Sequence, residues 1–179
     1  MANNQTKKFN IHTLLLVVSA ALLVFSVVAY FLPFVIYAPN HLSYQTTFSG
    51  YDFTRVLAGK ASVEDSEILI DLFAGDRTMQ YAQAIAYMAP ISAGCSVVIF
   101  VFTILALFFP KFNNIFAIGG MLAVWIVLGI SVVGIVGSMA VTNGAYVFNS
   151  YAIGWGLIGG IMAAIVSAVI NIISNLTSN

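Results

Sequence analysis

The chain alternates between long apolar stretches and short polar interruptions, and four apolar runs can be read directly: residues 13–38, 82–109, 112–141 and 151–174. Each is longer than the roughly 20 residues that an α-helix needs to cross a hydrocarbon core about 30 Å thick. Backbone amides in lipid must be satisfied within the segment, so each run predicts a transmembrane helix. Four crossings put both termini on one side. The first run follows Lys7 and Lys8 as a secretory signal would, but it is too long for a signal core and no small-residue cleavage site precedes a polar start. It is expected to be a membrane anchor.

The stretch between the first two runs, residues 39–81, is the exception to the apolar pattern. At roughly 43 residues it is longer than a simple link and too apolar for a disordered one, so it is expected to fold as an extracellular insertion. Residues 34–48 carry two β-favouring arms around the turn signal Pro39-Asn40-His41, which predicts a hairpin. In its second arm Leu42, Tyr44, Thr46 and Phe48 alternate with Ser43, Gln45 and Thr47. Two strands alone are marginal in water. A third strand over 145–148, after the turn pair Asn143-Gly144, is expected to join them.

Helical patterns follow the hairpin. Residues 51–58 end at Gly59, a C-terminal cap, and residues 63–73 start from a capping-box-like Ser62 and Asp65 and carry the stripe Ile68, Leu69, Leu72 and Phe73. The expected fold is thus an all-α membrane protein, a four-transmembrane-helix bundle bearing a small α/β extracellular domain. One domain accounts for residues 1–179.

Composition agrees with this class: 61% of residues are hydrophobic and 7% charged. Such a balance excludes an ordinary soluble domain. The formal net charge is zero, yet the charges are segregated. Lys7, Lys8 and Lys111 flank the apolar runs, and the other nine charged residues fall between Asp52 and Arg77. Bases in the short flanks mark the cytoplasmic side, so both termini and the 108–114 link are expected there, in a plasma membrane, with loop 39–81 outside.

Every carboxylate side chain lies in that outer loop. Glu64 and Asp65 would sit in the first turn of a helix, where the dipole favours them, and Glu64, Glu67 and Asp71 share one face at i, i+3 and i+7. Charge runs of this kind usually form a solvated face. The sharper alternative is a weak cation site or a dock for a basic partner. No loop with Asp, Asn and Gly at calcium-binding spacing is present, so no metal is assigned.

Small residues pattern the spans. Ala152, Gly156, Gly160, Ala164 and Ala168 recur every fourth residue, beside Gly159, Ala163, Ser167, Asn171 and Asn175. Small residues at this spacing let helix backbones approach closely, so this face is expected to pack on a helix of the same chain or of another. The third span carries Gly119, Gly120, Ala123, Gly129, Gly134, Gly137 and Ser138. The second contains Pro90 ahead of Ser92, Ala93, Gly94, Cys95 and Ser96, and a kink is expected at the proline.

Enzyme signals are missing. The single Cys95 sits in an apolar span and excludes an internal disulfide. His12 and His41 lie at span and turn boundaries, and the glycines of residues 153–160 lack the strand and acid of a nucleotide site. No cofactor, nucleic-acid partner or small-molecule ligand is inferred.

The layout, with one folded outer loop after helix 1 and a short outer loop after helix 3, is similar to the claudin-like four-helix architecture in topology. The claudin loop signature of Trp, Gly-Leu-Trp and a cysteine pair is missing, so barrier formation is not implied. Leu32-Pro33-Phe34, Ser49-Gly50-Tyr51-Asp52-Phe53 and Gly156-Leu157-Ile158-Gly159-Gly160 resemble short pieces of small four-helix membrane proteins of Gram-positive bacteria and their relatives. That resemblance implies a bacterial plasma membrane and brings no activity. The expected partners are the lipid bilayer and either another membrane protein or further copies of the chain. The expected function is a non-enzymatic scaffold or accessory subunit. The alternative is a small oligomeric transporter or channel component, with Ser92, Ser96, Ser131 and Ser167 lining a path.

Overall fold

The computed structural model of the chain describes residues 11–37, 46–60, 76–109, 115–143 and 151–177. In chain order these form α1 (Ile11–Ala29), β1 (Pro33–Tyr37), β2 (Thr46–Ser49), α2 (Gly50–Leu57), α3 (Asp76–Phe108), α4 (Ile115–Asn143), β3 (Tyr151–Ile153) and α5 (Trp155–Thr177). The four long helices pack as a ring in which α1 touches α3 and α5, and α4 completes the circuit between those two. Among the described residues three segments are long and apolar enough to cross a membrane: Ile11–Ala29, Tyr87–Phe108 and Trp155–Leu176. This is a membrane-embedded helical protein. In α4 the corresponding apolar segment is the shorter Ile118–Val132.

The helix expected over 13–38 ends at Ala29, because the chain tightens and then changes geometry. Tyr30, Phe31 and Leu32 donate their N–H groups three residues back, to Val27, Val28 and Ala29, closing α1 with a 3-10-like turn. Pro33 then disfavours α geometry at Leu32 and offers no N–H. Residues beyond it become β1, the middle strand of a three-stranded sheet ordered β2-β1-β3. Both pairings are antiparallel: Tyr37 opposes Thr46 on one side and Tyr151 on the other. A register shift between Pro33 and Val35 lets the strand begin on a proline.

The hairpin expected over 34–48 is therefore present as β1 and β2, and its arms are slightly longer at the outer ends; the turn at Pro39 lies outside the described residues. Phe48 is buried and Thr47 exposed, as the alternation requires. A third strand completes the sheet. It is β3, residues that the apolar pattern assigns to the fourth helix, whereas 145–148 lie outside the described residues. Gly154 ends β3 by donating its N–H to the Phe34 carbonyl at 2.7 Å, and α5 starts at Trp155.

α3 begins at Asp76, six residues before the apolar run, so residues 76–81 of the expected insertion are helical. It continues unbroken through Pro90. The short helix expected over 63–73 lies outside the described residues. By contrast α2 matches its expected span and carries a full capping box: Ser49 Oγ accepts from the Asp52 N–H, and the Asp52 carboxylate accepts from the Ser49 N–H at 2.8 Å. Ser49→Ala is expected to lower stability by about 1 kcal/mol, a shift of a few degrees in Tm. An unchanged Tm would show that α2 does not depend on its cap.

The C-terminal end of α2 is a Schellman turn. Gly59 adopts φ of 64°, its N–H bonds the Val56 carbonyl at 3.0 Å, and the Lys60 N–H reaches the Arg55 carbonyl at 2.9 Å. α2 is tied to the end of α1 by the Tyr51 N–H to the Tyr30 carbonyl and by Tyr30 Oη to Thr54 Oγ1. Its inner residue Phe53 joins Phe34, Phe48 and Trp125 in the buried core, so sheet, short helix and bundle form one packed body.

Candidate functional site

Two kinds of surface could carry function in a bundle whose apolar spans hold no charge: faces of small residues and polar groups held inside it. Gly156, Gly160, Ala164 and Ala168 all lie buried on α5, on the side facing α1 and α4. At Gly156 an added Cβ would stand 2.6 Å from Leu32 Cβ and 2.8 Å from the Leu32 carbonyl carbon. At Gly160 it would stand 2.6 Å from Trp125 Cη2 and 3.1 Å from Ala29 Cβ. Those four residues thus pack within the chain. Ala152, the first of the series, is not on the helix; it lies in β3 opposite Ile36. The acidic residues Glu64, Glu67 and Asp71 lie outside the described residues.

The polar groups form two clamps, both centred on α1. Ser19 Oγ lies 2.8 Å from Ser167 Oγ, and the Asn171 amide Nδ2 donates to Ser19 Oγ and to the Ser167 carbonyl, joining α1 to α5. Two turns along the same face, Ser26 Oγ lies 3.0 Å from Ser96 Oγ, joining α1 to α3. Ser96 Oγ is also 2.9 Å from the Ser92 carbonyl, one turn back. It has one proton and the carbonyl is the better acceptor, so Ser26 is the donor in the bridge between helices. Ser131 Oγ donates to the Val127 carbonyl of its own helix at 2.8 Å. Of the serines proposed to line a path, Ser96, Ser131 and Ser167 therefore direct their hydroxyls at protein partners; the buried Ser92 Oγ has none among the described residues.

Ser19 and Ser26 were not singled out by the sequence pattern. Their signal is a pair of hydroxyls seven residues apart on the buried face Leu16, Ser19, Ala20, Leu23, Ser26 and Ala29.

An open face remains between α3 and α4. Ile91, Gly94, Cys95, Val98, Ile99, Gly120 and Met121 line an apolar groove of about 430 Å³. Added Cβ atoms at Gly94, Gly119 and Gly120 would meet nothing within 4 Å. Ile91, Val97, Val98 and Val101 continue the exposed apolar surface around it. Gly156, Gly159 and Gly160 of α5 and Gly129 of α4 are covered by neighbouring side chains or backbone, whereas Gly94 of α3 and Gly119 and Gly120 of α4 face open space. No protein-family model, curated protein or solved structure matches the chain.

Proposed function

We propose that the protein is a non-enzymatic membrane scaffold or accessory subunit that receives a transmembrane helix, from another membrane protein or a second copy, in the groove between α3 and α4. The observation that carries this reading is the groove's glycine floor. Gly94 and Gly120 leave space that no side chain of the chain fills, and close backbone approach at small residues is the main source of helix association in lipid. The acidic outer loop with Glu64, Glu67 and Asp71 is a second recognition surface on this reading. The layout proposed for the working protein is four crossings with claudin-like topology, in a bacterial plasma membrane, with both termini cytoplasmic. It is supported by the 29-residue length of α4 and by the flanking Lys7, Lys8 and Lys111.

The transporter or channel reading has less support, because the clamp serines bond to one another and to their own helices.

Native mass spectrometry of the chain released in mild detergent tests the proposal. A fixed oligomer or a stoichiometric partner is expected. Gly120→Leu should weaken that association more than tenfold, while the folded chain stays as stable or gains up to about 1 kcal/mol from helix propensity. A chain that is strictly monomeric and alone, or an association indifferent to Gly120→Leu, would refute it.

A further inference from the structure

Exposed aromatic residues stand at both ends of α3, with Phe108 and Phe109 at its far end, and at the sheet end of the other span-length helices. Each span-length helix carries one at the end nearest the sheet: Phe31 just beyond α1 (60% exposed), Tyr87 on α3 (63%) and Trp155 at the start of α5 (55%). Aromatic rings at matching ends of apolar helices mark the boundary between hydrocarbon and headgroups. Phe31 continues the outward apolar face of α1 formed by Val17, Val24 and Val28. Next to it, at a centroid distance of 5.8 Å, stands the half-exposed ring of Tyr51 on α2. Arg55 lies over that ring, its guanidinium carbon 5.8 Å from the centroid. From α1 outward the surface thus passes from aliphatic to aromatic to cationic, the order in which a bilayer passes from chains to phosphates.

The cation is not alone. The Schellman turn at Gly59 folds Lys60 back over Arg55, and Arg55 Nη2 donates to the Lys60 carbonyl at 2.9 Å. Lys60 is exposed. Asp52, one turn before Arg55, holds its carboxylate on the Ser49 N–H and hydroxyl. Among the described residues no carboxylate pairs with either cation, and the guanidinium keeps further N–H donors in the fork geometry that suits phosphate.

We propose that Arg55 and Lys60, with Tyr51 and Phe31 beneath them, form a binding site for the headgroup phosphate of an anionic phospholipid in the leaflet at the sheet end. The lipid's acyl chains run down the exposed face of α1 beside Val24 and Val28, and its phosphate lies between the guanidinium and the ammonium. Two neighbouring cations, neither of them ion-paired among the described residues, select an anionic lipid over a zwitterionic one. The site would couple the docking of α2 on α1 to the composition of the membrane.

The test uses the full chain in detergent micelles, titrated with phosphatidylglycerol or phosphatidylcholine and followed by native mass spectrometry and thermal stability. Phosphatidylglycerol is expected to remain bound and raise Tm, and phosphatidylcholine to do so weakly. Arg55→Gln and Lys60→Gln should each weaken phosphatidylglycerol binding about fivefold, with the double variant losing more than tenfold. Arg55→Lys, which keeps the charge but not the fork, should fall between. Lys60→Gln removes no side-chain contact among the described residues and keeps the carbonyl that accepts from Arg55, so it reads the site even if an Arg55 variant is unstable. Equal retention of the two lipids, wild-type binding by the double variant, or equal binding of water-soluble glycerol phosphate would overturn the proposal. Lys111→Gln should leave the preference unchanged.

Discussion

Replacing Gly154 or Gly156 by alanine, the smallest possible change, is expected to destabilise the protein by about 1–3 kcal/mol, while the same change at Gly94 or Gly120 stabilises it by up to about 1 kcal/mol. The difference lies in what each new methyl meets. A Cβ on Gly154 would collide with the Pro33 carbonyl, and one on Gly156 would press on the Leu32 carbonyl carbon and oxygen at 2.8 and 2.9 Å. These are backbone atoms of the turn that joins α1 to β1, so relief requires moving either the turn or α5. At Gly154 the shift would also disturb the N–H bond to Phe34 that registers β3 on β1. At Gly94 and Gly120 the methyl enters open space and only the helix propensity changes. Gly160 is intermediate, because its nearest neighbour is the Trp125 ring edge rather than backbone. Unfolding followed by SDS titration in mixed micelles would measure all five. If the four glycines gave equal losses, the close approach of α5 to the end of α1 would be wrong.

That comparison also shows where the sequence could and could not be read. The period of four small residues on α5 was plain, but spacing alone does not tell a helix of the same chain from a helix of another. The answer came from Leu32, Trp125 and Ala29, residues distant in sequence that close over Gly156 and Gly160. The same limitation hid the groove. Gly94, Gly119 and Gly120 look no different in sequence from the buried glycines, and only the packing leaves them outward.

Element boundaries failed for a related reason. A strand buried on both faces, as β1 is at Phe34 and Val35, reads as a continuous apolar run, as does a helix facing lipid, so β1 was shared between the first span and the hairpin, and the short apolar β3 merged into the fourth span. The punctuation was present in Pro33 and Gly154. It carried less weight than the apolar residues on either side. The second hairpin arm and α2 were legible because water touches one face of each: Thr47 is exposed beside the buried Phe48, and Tyr51 is exposed beside the buried Phe53. The capping box of α2 was also available, since Ser49 and Asp52 have the same spacing as Ser62 and Asp65.

The buried serine clamps explain how α1 holds its register without charge. Between helices in lipid such hydrogen bonds contribute modestly, about 0.6 kcal/mol on average. Their value is directional: Ser19 can meet Ser167 and Asn171, and Ser26 can meet Ser96, in one rotation and one depth of α1. Packing against Gly156 and Gly160 supplies the close contact, and the clamps select which close contact forms.

The residue on which bundle and sheet both depend is Trp125, which is fully buried and packs against the Gly160 face, with its ring 6.4 Å from that of Phe34. Trp125→Ala is expected to cost about 2–4 kcal/mol. In a soluble core the loss would be about 3–5 kcal/mol. Here part of the transfer contribution vanishes, because the separated helix would still keep its tryptophan in lipid, but the lost packing and the cavity remain. Trp125→Phe should cost far less. Its smaller ring leaves only part of the void, and it removes a buried indole N–H that has no acceptor among the described residues. A double-mutant cycle with Phe34→Ala, measured by SDS titration, should return a coupling of about 0.5–1.5 kcal/mol for the ring pair. Ile126→Ala, the neighbouring exposed position, sets the baseline. A Trp125→Ala loss no larger than that baseline would place the indole outside the core and detach the sheet from the bundle.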